Sequence, residues 1–153
     1  MIILNIETAT TNCSVSLSKE GKTIVLKEDY DKNYSHAERL HVYIDEVLKE
    51  AGISANDLSA IAVSKGPGSY TGLRIGVSAA KGLCFALDKP LISISTLEAL
   101  AHQVTCQEGV IVAMLDARRM EVYSAVFDSN HNKIRETEAQ ILNEQSFNSY
   151  LEK

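Results

Sequence analysis

The sequence predicts a three-layer α/β domain with the element order β-β-β-α-β-α-β-α, followed by the start of a second, related domain. Three observations predict it: apolar runs rich in β-branched residues near the start, helical apolar periodicity from residue 35, and alternation of strands and helices after that. The 153 residues are 45% apolar and 23% charged, as in globular proteins. A net charge of −5 gives no overall electrostatic footprint for nucleic acid.

Three strands are predicted in the first thirty residues. Residues 1–7 form an apolar run, which is typical of an interior strand, and residues 13–17 alternate apolar and polar side chains. Glu20-Gly21 predicts a tight turn into a third strand over residues 23–26. Together these segments predict an antiparallel meander.

The clearest helix follows this meander. Ser35 and Glu38 have the spacing of a capping box, in which two side chains satisfy free backbone N–H groups at a helix start. Apolar residues then recur at steps of three and four, and Gly52 supplies the C-terminal stop near residue 51. The pattern therefore predicts a helix over residues 36–51.

Strands and helices alternate in the remainder of the first domain. Pro90 ends the second helix, and Ser95 with Glu98 caps the third. The predicted elements are a strand over 58–63, a helix over 71–87, a strand over 91–94 and a helix to about residue 104. After Gly109 three strands over 110–115, 122–127 and 133–141 precede a helix within 144–152, which predicts domains over 1–108 and 109–153.

Composition also bounds the location of the protein and its cysteine chemistry. The longest wholly apolar run, residues 110–115, is too short to span a bilayer, and no basic region precedes Lys19 at the N-terminus. We therefore expect a cytoplasmic protein that does not associate with membranes. Cys13, Cys84 and Cys106 are widely spaced, which predicts buried, unreactive thiols rather than disulfides or a zinc site.

A glycine-rich loop, KGPGSYTG over residues 65–72, lies between a predicted strand and a predicted helix. Helix starts that follow such loops favour anions. The glycine spacing matches neither the Walker A motif nor the dinucleotide-binding fingerprint. Two interpretations stay open: the loop contacts a ligand or partner, or Gly66 and Gly68 supply unusual backbone angles while Pro67 stiffens the turn.

The helix after this loop carries small residues at four-residue steps, at Gly72, Gly76 and Ala80. Glycine inside a helix costs about 1 kcal/mol relative to alanine, so a close approach by another backbone is the simplest explanation. That backbone belongs either to a partner protein or to another layer of the same domain. On the first interpretation, a bulky charge at Gly76 or Ala80 abolishes the complex and leaves the monomer folded.

Polar residues after two of the predicted strands are candidates for anion binding. Glu7 precedes a hydroxyl-rich turn over residues 8–11, which could hold a phosphate and a magnesium ion or simply satisfy its own backbone. The candidate anion-binding or nucleotide-binding residues of the two loops are Glu7, Thr8, Thr10, Thr11, Gly66, Gly68, Ser69 and Thr71.

A second polar segment, DARRM, follows the strand over residues 110–115. Arg118 and Arg119 could bind phosphate or carboxylate groups through two hydrogen bonds each. Equally, they could pair with Glu121 on the surface.

The histidines do not predict a metal site. His36 and His41 are five residues apart, which places them about 140° apart around a helix axis, whereas a helical metal pair needs a spacing of four. Both are expected at the surface. The sequence also offers no Ser-His-Asp or Cys-His arrangement, so no catalytic residue is assigned.

Three stretches, ILNIETATTNCSVSL, KGPGSYTGLRIGVSAAKGL and LDARRMEVYSAVF, resemble the signature stretches of the bacterial TsaB family, also called YeaZ. The resemblance runs in order from residue 1 to about residue 127. It implies a ribonuclease-H-like fold of the actin-like and heat-shock-chaperone ATPase superfold. It also implies a role in the threonylcarbamoyladenosine modification of tRNA.

The resemblance implies a subunit without catalytic activity that binds and activates the catalytic subunit TsaD and lets the ATPase TsaE join. His36 and His41 do not match the metal-binding histidine pair of TsaD. The family's partner surface lies on the first two helices, and we expect the isolated chain to form a homodimer through it. Contact with tRNA is expected to be indirect, and no cofactor is required. The expected interface residues are Ala37, Leu40, Ile44, Val47, Gly72, Leu73, Arg74, Gly76, Ala79, Ala80 and Leu83.

Two alternative functions stay open at this point. The first is a nucleotide-binding ATPase or kinase-like enzyme that would hold ATP or ADP with Glu7, the turn over 8–11 and the glycine loop. The second is a glycoprotease-like metallopeptidase, which would require a bound metal ion. Titration with ATP and magnesium would distinguish the first alternative from a subunit without catalytic activity.

Overall fold

Eight strands and four α-helices make up the part of the chain that the computed structural model describes, residues 1–29 and 36–151. The strands are β1 (Ile2–Glu7), β2 (Cys13–Lys19), β3 (Lys22–Asp29), β4 (Ala60–Ser64), β5 (Leu91–Ile94), β6 (Val110–Arg118), β7 (Glu121–Asp128) and β8 (Lys133–Ile141). The helices are α1 (His36–Ala51), α2 (Tyr70–Leu87), α3 (Thr96–Ala101) and α4 (Asn148–Leu151), with a 3₁₀ helix at Ala55–Asp57. This order confirms the predicted α/β class.

The chain divides into two compact units between Ile94 and Ser95. The first unit holds a five-stranded sheet in the order β3-β2-β1-β4-β5. β1 pairs antiparallel with β2 and parallel with β4, and β4 pairs parallel with β5. The carboxyl ends of β1 and β4 therefore lie at the same edge of the sheet. The predicted domain boundary after residue 108 stays a prediction.

Helices α1 and α2 pack on this sheet, α1 against β2 and β3 and α2 against β4. Alternate side chains of the strands meet the apolar stripe of α1, so both elements bury the face that their sequence periodicity predicts. At the end of α1, Gly52 has a φ of +63°, and Ile53 N donates to Leu48 O at 3.0 Å. The predicted cap at Ser35 lies outside the described residues. The core of this unit includes Leu4, Ile6, Val15, Leu17, Leu40, Ile44, Val47, Ile61, Val63 and Ala80.

The second unit contains the antiparallel meander β6-β7-β8, and α3 packs on β6 and β7. Leu97 and Ala101 of α3 join Ile111 and Phe127 in its core. Helix α3 ends at Ala101 rather than near residue 104, because the following turn is tightened by i to i+3 hydrogen bonds such as Val104 N to Ala101 O at 3.1 Å. Helix α4 lies within the segment predicted to be helical.

Two hairpins are closed by two-residue loops of the same backbone form. In the β2–β3 hairpin the loop residues Glu20 and Gly21 have φ values of 50° and 77°. In the β6–β7 hairpin Arg119 and Met120 have values of 55° and 62°, and the preceding Arg118 has 71°. A two-residue hairpin loop with positive φ at both positions favours asparagine and glycine, and other residues cost about 1 to 2 kcal/mol each in this region.

Candidate functional site

The turn after β1 and the glycine loop after β4 meet at the edge where both strands end. Ser69 N donates to Ala9 O at 2.6 Å, which joins the two loops through their backbones. Gly66 has a φ of +103°, and a Cβ on Gly68 would collide with the Ala9 carbonyl and lie 2.8 Å from Ala9 Cβ. The structure thus brings most of the predicted anion-binding residues together. It also explains why glycine is needed at positions 66 and 68.

Both carboxylate oxygens of Glu7 accept hydrogen bonds where the turn after β1 meets the end of β4. Its Oε1 accepts a hydrogen bond from Ala9 N at 2.6 Å, and its Oε2 accepts one from Ser64 Oγ. The carboxylate therefore closes the turn and fixes it to the end of β4. Each oxygen keeps one further lone pair, so these two contacts give Glu7 a structural role without deciding whether it also binds a ligand.

Thr8 lies between this turn and α2. It is only 1% exposed, and its Oγ1 donates to Gly72 O at 2.8 Å. A Cβ on Gly72 would collide with the Thr8 carbonyl oxygen, and a Cβ on Gly76 would collide with Thr8 Oγ1. The close approach that explains Gly72 and Gly76 therefore comes from Thr8 of the same unit, through its backbone at Gly72 and its side chain at Gly76.

Two further hydroxyl groups of these loops have partners nearby. Thr10 Oγ1 accepts from Asn12 N at 3.2 Å, and Ser69 Oγ caps α2 by accepting from Gly72 N at 3.2 Å. Thr11 and Thr71 are exposed. The arrangement matches the interpretation in which the hydroxyl-rich turn satisfies its own backbone.

His36 is not a surface residue, so that prediction is wrong. Its side chain is 2% exposed, and Nε2 is 2.8 Å from Thr10 O, which joins the start of α1 to the turn after β1. His41 is exposed, as expected. Within residues 1–29 and 36–151, no three His, Cys, Asp or Glu side chains come together in a way that could hold a metal ion.

The prediction that the cysteines are buried is confirmed at Cys13. Cys13 is buried, while Cys84 and Cys106 are half-buried, and all three are free thiols. Burial raises the pKa of the Cys13 and Cys84 thiols, which lowers the fraction of reactive thiolate. Among the described helices, none is long and apolar enough to cross a membrane.

The predicted partner interface needs correction at six positions. These residues are buried in the first unit's own interior and leave a partner almost no surface to contact: Leu40, Ile44, Val47, Gly72, Gly76 and Ala80. The reason is that α1 and α2 turn their small and apolar stripes toward their own sheet. Ala37 and Arg74 are exposed, Leu73, Ala79 and Leu83 are half-buried, and for these five the interface stays a prediction.

Sequence reasoning missed the exposed aromatic residues of α2. Tyr70 is 74% exposed and Phe85 is 92% exposed. Arg74 Nη1 donates to Tyr70 Oη at 3.0 Å, with the guanidinium carbon 5.2 Å from the centre of the tyrosine ring. We define the outer face of α2 as Tyr70, Arg74, Ser78, Lys81 and Phe85, whose spacings of four, four, three and four residues follow one side of a helix.

A shallow depression of about 380 Å³ lies on this side of the helix. It is lined by Tyr70, Thr71, Arg74, Ile75 and Ser78. Its aromatic ring, aliphatic side chain and guanidinium offer apolar contact together with hydrogen-bond donors. Such a mixture is typical of protein-binding surfaces, where Tyr and Arg are enriched.

Comparison with known proteins identifies the family. Residues 31–148 match the profile of the family described as TsaD, tRNA N6-adenosine threonylcarbamoyltransferase. The Escherichia coli protein named tRNA threonylcarbamoyladenosine biosynthesis protein TsaB is 38% identical over 144 residues, which cover 91% of this chain and 62% of that protein. Its Bacillus subtilis namesake is 39% identical over 127 residues, which cover 83% and 55%. The chain therefore spans little more than half the length of these relatives.

A solved structure gives the same result. YeaZ from Pseudomonas aeruginosa superposes with a TM-score of 0.78 at 31% sequence identity, covering 92% of this chain and 67% of that one. The likeness thus extends over both units of the chain, and the sequence identity is high enough to indicate more than a shared fold. Taken with the relatives named TsaB, it shows that the chain belongs to the TsaB family, also called YeaZ.

Proposed function

We propose that this protein is a non-catalytic assembly and activation subunit of the tRNA threonylcarbamoyl transfer machinery. It binds the catalytic subunit TsaD and allows TsaE to join the complex. The observation that carries the proposal is the outer face of α2, where Phe85 is 92% exposed on a helix fixed to its own sheet. Relatives named for tRNA threonylcarbamoyladenosine biosynthesis support the choice of pathway.

The loops at the sheet edge support a subunit without catalytic activity. Both oxygens of Glu7, the Thr8 hydroxyl and the Ser69 hydroxyl hold together the turn after β1 and the start of α2. Each of these groups thus has a structural partner within the unit, which is the role expected of them in a subunit that binds no nucleotide. Titration with ATP and magnesium is expected to show no binding at micromolar concentrations, and binding there would favour the alternative nucleotide-binding enzyme.

The outer face of α2 supplies the partner surface, together with exposed residues of α1. Exposed aromatic side chains are common anchors of protein interfaces, because burying them removes a large apolar area from water. Activation follows if the surface binds the competent conformation of TsaD more tightly than the idle one. Without TsaD, two copies of this chain pair through the same surface in an isologous homodimer.

Net charge and location complete the proposal. The net charge of −5 disfavours stable binding of tRNA by the isolated chain, so tRNA is held mainly by the complex. The protein works in the cytoplasm and needs no cofactor of its own.

Sedimentation at micromolar concentrations tests this function. The chain alone is expected to sediment as a homodimer and to form a one-to-one complex with TsaD from the same source. Phe85→Asp is expected to abolish both complexes with only a small fall in melting temperature, because the replaced side chain lies almost entirely in solvent and the new charge is unfavourable only through the end of the helix. Gly76→Arg is not a suitable test, since its side chain would collide with Thr8 and unfold the unit.

Ile24→Asp is the matched control, because Ile24 is another exposed apolar residue but lies on the edge strand β3. It is expected to leave both complexes intact. A wild-type chain that ignores TsaD would overturn the proposed function. Normal TsaD binding by Phe85→Asp would overturn only the assignment of the surface.

A further inference from the structure

The loop of the β6–β7 hairpin carries residues that its backbone conformation disfavours. Arg118, Arg119 and Met120 have φ values of 71°, 55° and 62°, in the left-handed region that favours glycine and asparagine. Three consecutive residues of other types in this region form a strained segment, and such segments concentrate at functional sites. The backbone conformation therefore does not explain why these three residue types are present at the tip.

Contacts within the chain do not supply that explanation. The loop is held by Asp116 Oδ1, which accepts from Arg118 N at 2.7 Å, and by Met120 O, which accepts from Leu142 N at 2.8 Å. Both are contacts to backbone groups that any residue except proline could make. All three side chains are exposed, Met120 at 70%. Among the described residues neither arginine forms an ion pair, so the predicted alternative of pairing with Glu121 is wrong.

Charge in the second unit is unevenly distributed. Residues 95–153 contain nine acidic and five basic residues. Lys133 pairs with Glu136 at 3.4 Å, and Arg135 donates to Gln140 Oε1 at 2.9 Å and to Ser124 Oγ at 2.5 Å. The described cations left for an external ligand are the two arginines at the hairpin tip. Asp116 and Glu121 flank these arginines, so the tip carries no net charge, and what it offers an anionic ligand is two exposed guanidinium groups.

We propose that Arg118 and Arg119 bind backbone phosphates of the tRNA within the assembled complex, an inference that rests on the proposed function. Arginine donates in a planar fork that matches phosphate oxygens through paired hydrogen bonds. Two neighbouring arginines on a projecting loop suit a polymer whose phosphates repeat. The contact positions tRNA on the complex and reads no base sequence.

The test uses the complex of the full chain with TsaD and follows tRNA binding by fluorescence anisotropy over a series of salt concentrations. Arg118→Ala/Arg119→Ala is expected to weaken binding roughly tenfold. It is also expected to lower the slope of log affinity against log salt by between about 1 and 2, because fewer counterions are released. Arg118→Lys/Arg119→Lys keeps the charge but not the fork, so it retains the slope and loses part of the affinity.

Lys19→Ala/Lys22→Ala is the matched control, since it removes two exposed cations beside the β2–β3 loop. It is expected to bind tRNA as the wild-type complex does. The inference is overturned if the double alanine variant at the arginines keeps wild-type affinity and slope, or if the lysine control loses as much. Sedimentation of the same samples distinguishes a failure of the proposed function from a failure of this inference alone. A wild-type chain that forms no complex with TsaD overturns both.

Discussion

Helix α2 and the β6–β7 hairpin both contain residues that their local backbone disfavours. The helix contains glycine where other residues are preferred, and the hairpin contains other residues where glycine is preferred. Gly72 and Gly76 stand in the helix, where alanine would be more stable. Arg119 and Met120 stand in a two-residue loop, where asparagine and glycine would be more stable. The helix glycines have an internal cause, because Thr8 fills the space that a Cβ would need. In the hairpin Asp116 and Leu142 hold the backbone of the loop, but no described contact of the Arg119 and Met120 side chains requires those residue types.

The difference shows how a local conflict can be assigned to folding or to function. A conflict that a neighbouring atom explains serves packing, and changing it destabilises the fold. A conflict that no neighbouring atom explains lowers the stability of the fold. Removing it should stabilise the fold and weaken a contact with another molecule. Substitutions at the two regions should therefore change stability in opposite directions.

The largest expected effect is that of Gly72→Ala. The added methyl would collide with the Thr8 carbonyl, so α2 must move off the turn after β1, at a cost of about 3 kcal/mol or a fall of roughly 10 °C in melting temperature. Gly82→Ala is the control on the same helix, because its Cβ would meet nothing within 4 Å. It should gain about 1 kcal/mol from helix propensity. Equal effects of the two substitutions in thermal unfolding followed by circular dichroism would contradict the packing explanation.

An intermediate effect of opposite sign is expected for Arg119→Asn/Met120→Gly. The pair suits positive φ at both loop positions, so the variant should be more stable by about 1 to 2 kcal/mol in urea unfolding. Its complex with TsaD should bind tRNA more weakly, since one of the two arginines is gone. Glu20→Arg/Gly21→Met makes the reverse change in the β2–β3 loop and should destabilise. A loss of stability in the Asn-Gly variant would argue that the arginine hairpin is structurally required.

The smallest effect on stability is expected in the loop between β7 and β8, which provides a third case for the comparison. His131 also has a positive φ, 63°, but here Asp128 supplies an internal cause. Its carboxylate accepts from Asn130 N and Asn132 N at 2.9 Å and from Asn132 Nδ2 at 3.0 Å. The side chain and backbone of Asn132, and then the backbone of Asn130, hold the pKa of Asp128 below its usual value.

Because the folded-state pKa is lowered, the stabilisation from Asp128 is complete above the unfolded-state pKa of about 3.9 and is lost as the pH falls through the folded value. Asp128→Ala should therefore be less stable than the wild type at pH 7, and the difference should shrink below about pH 4. Urea unfolding at pH 7 and pH 3 measures this change. A difference that is the same at both pH values would show that the charged form of Asp128 does not hold the loop.

Much of the fold was predictable from the sequence, because local signals specify it. The step pattern of α1 ending at Gly52 and the interruption at Pro90 defined elements that the structure confirms. The site was less predictable. The small residues of α2 indicated a close backbone but not its identity, and Thr8 is 64 residues away from Gly72 in the chain. Phe85 was not predictable as exposed, because a large apolar residue on a helix usually faces the core.

The hydrogen bond from Thr8 to Gly72 has a consequence for how the protein associates. It anchors the first turn of α2 to the buried turn after β1, and the contact of Gly76 with Thr8 holds the next turn in place. The outer face is therefore carried on a backbone that has little conformational freedom left to lose. A partner then spends less entropy on ordering this surface, so association is expected to be fast and to require little rearrangement of the chain.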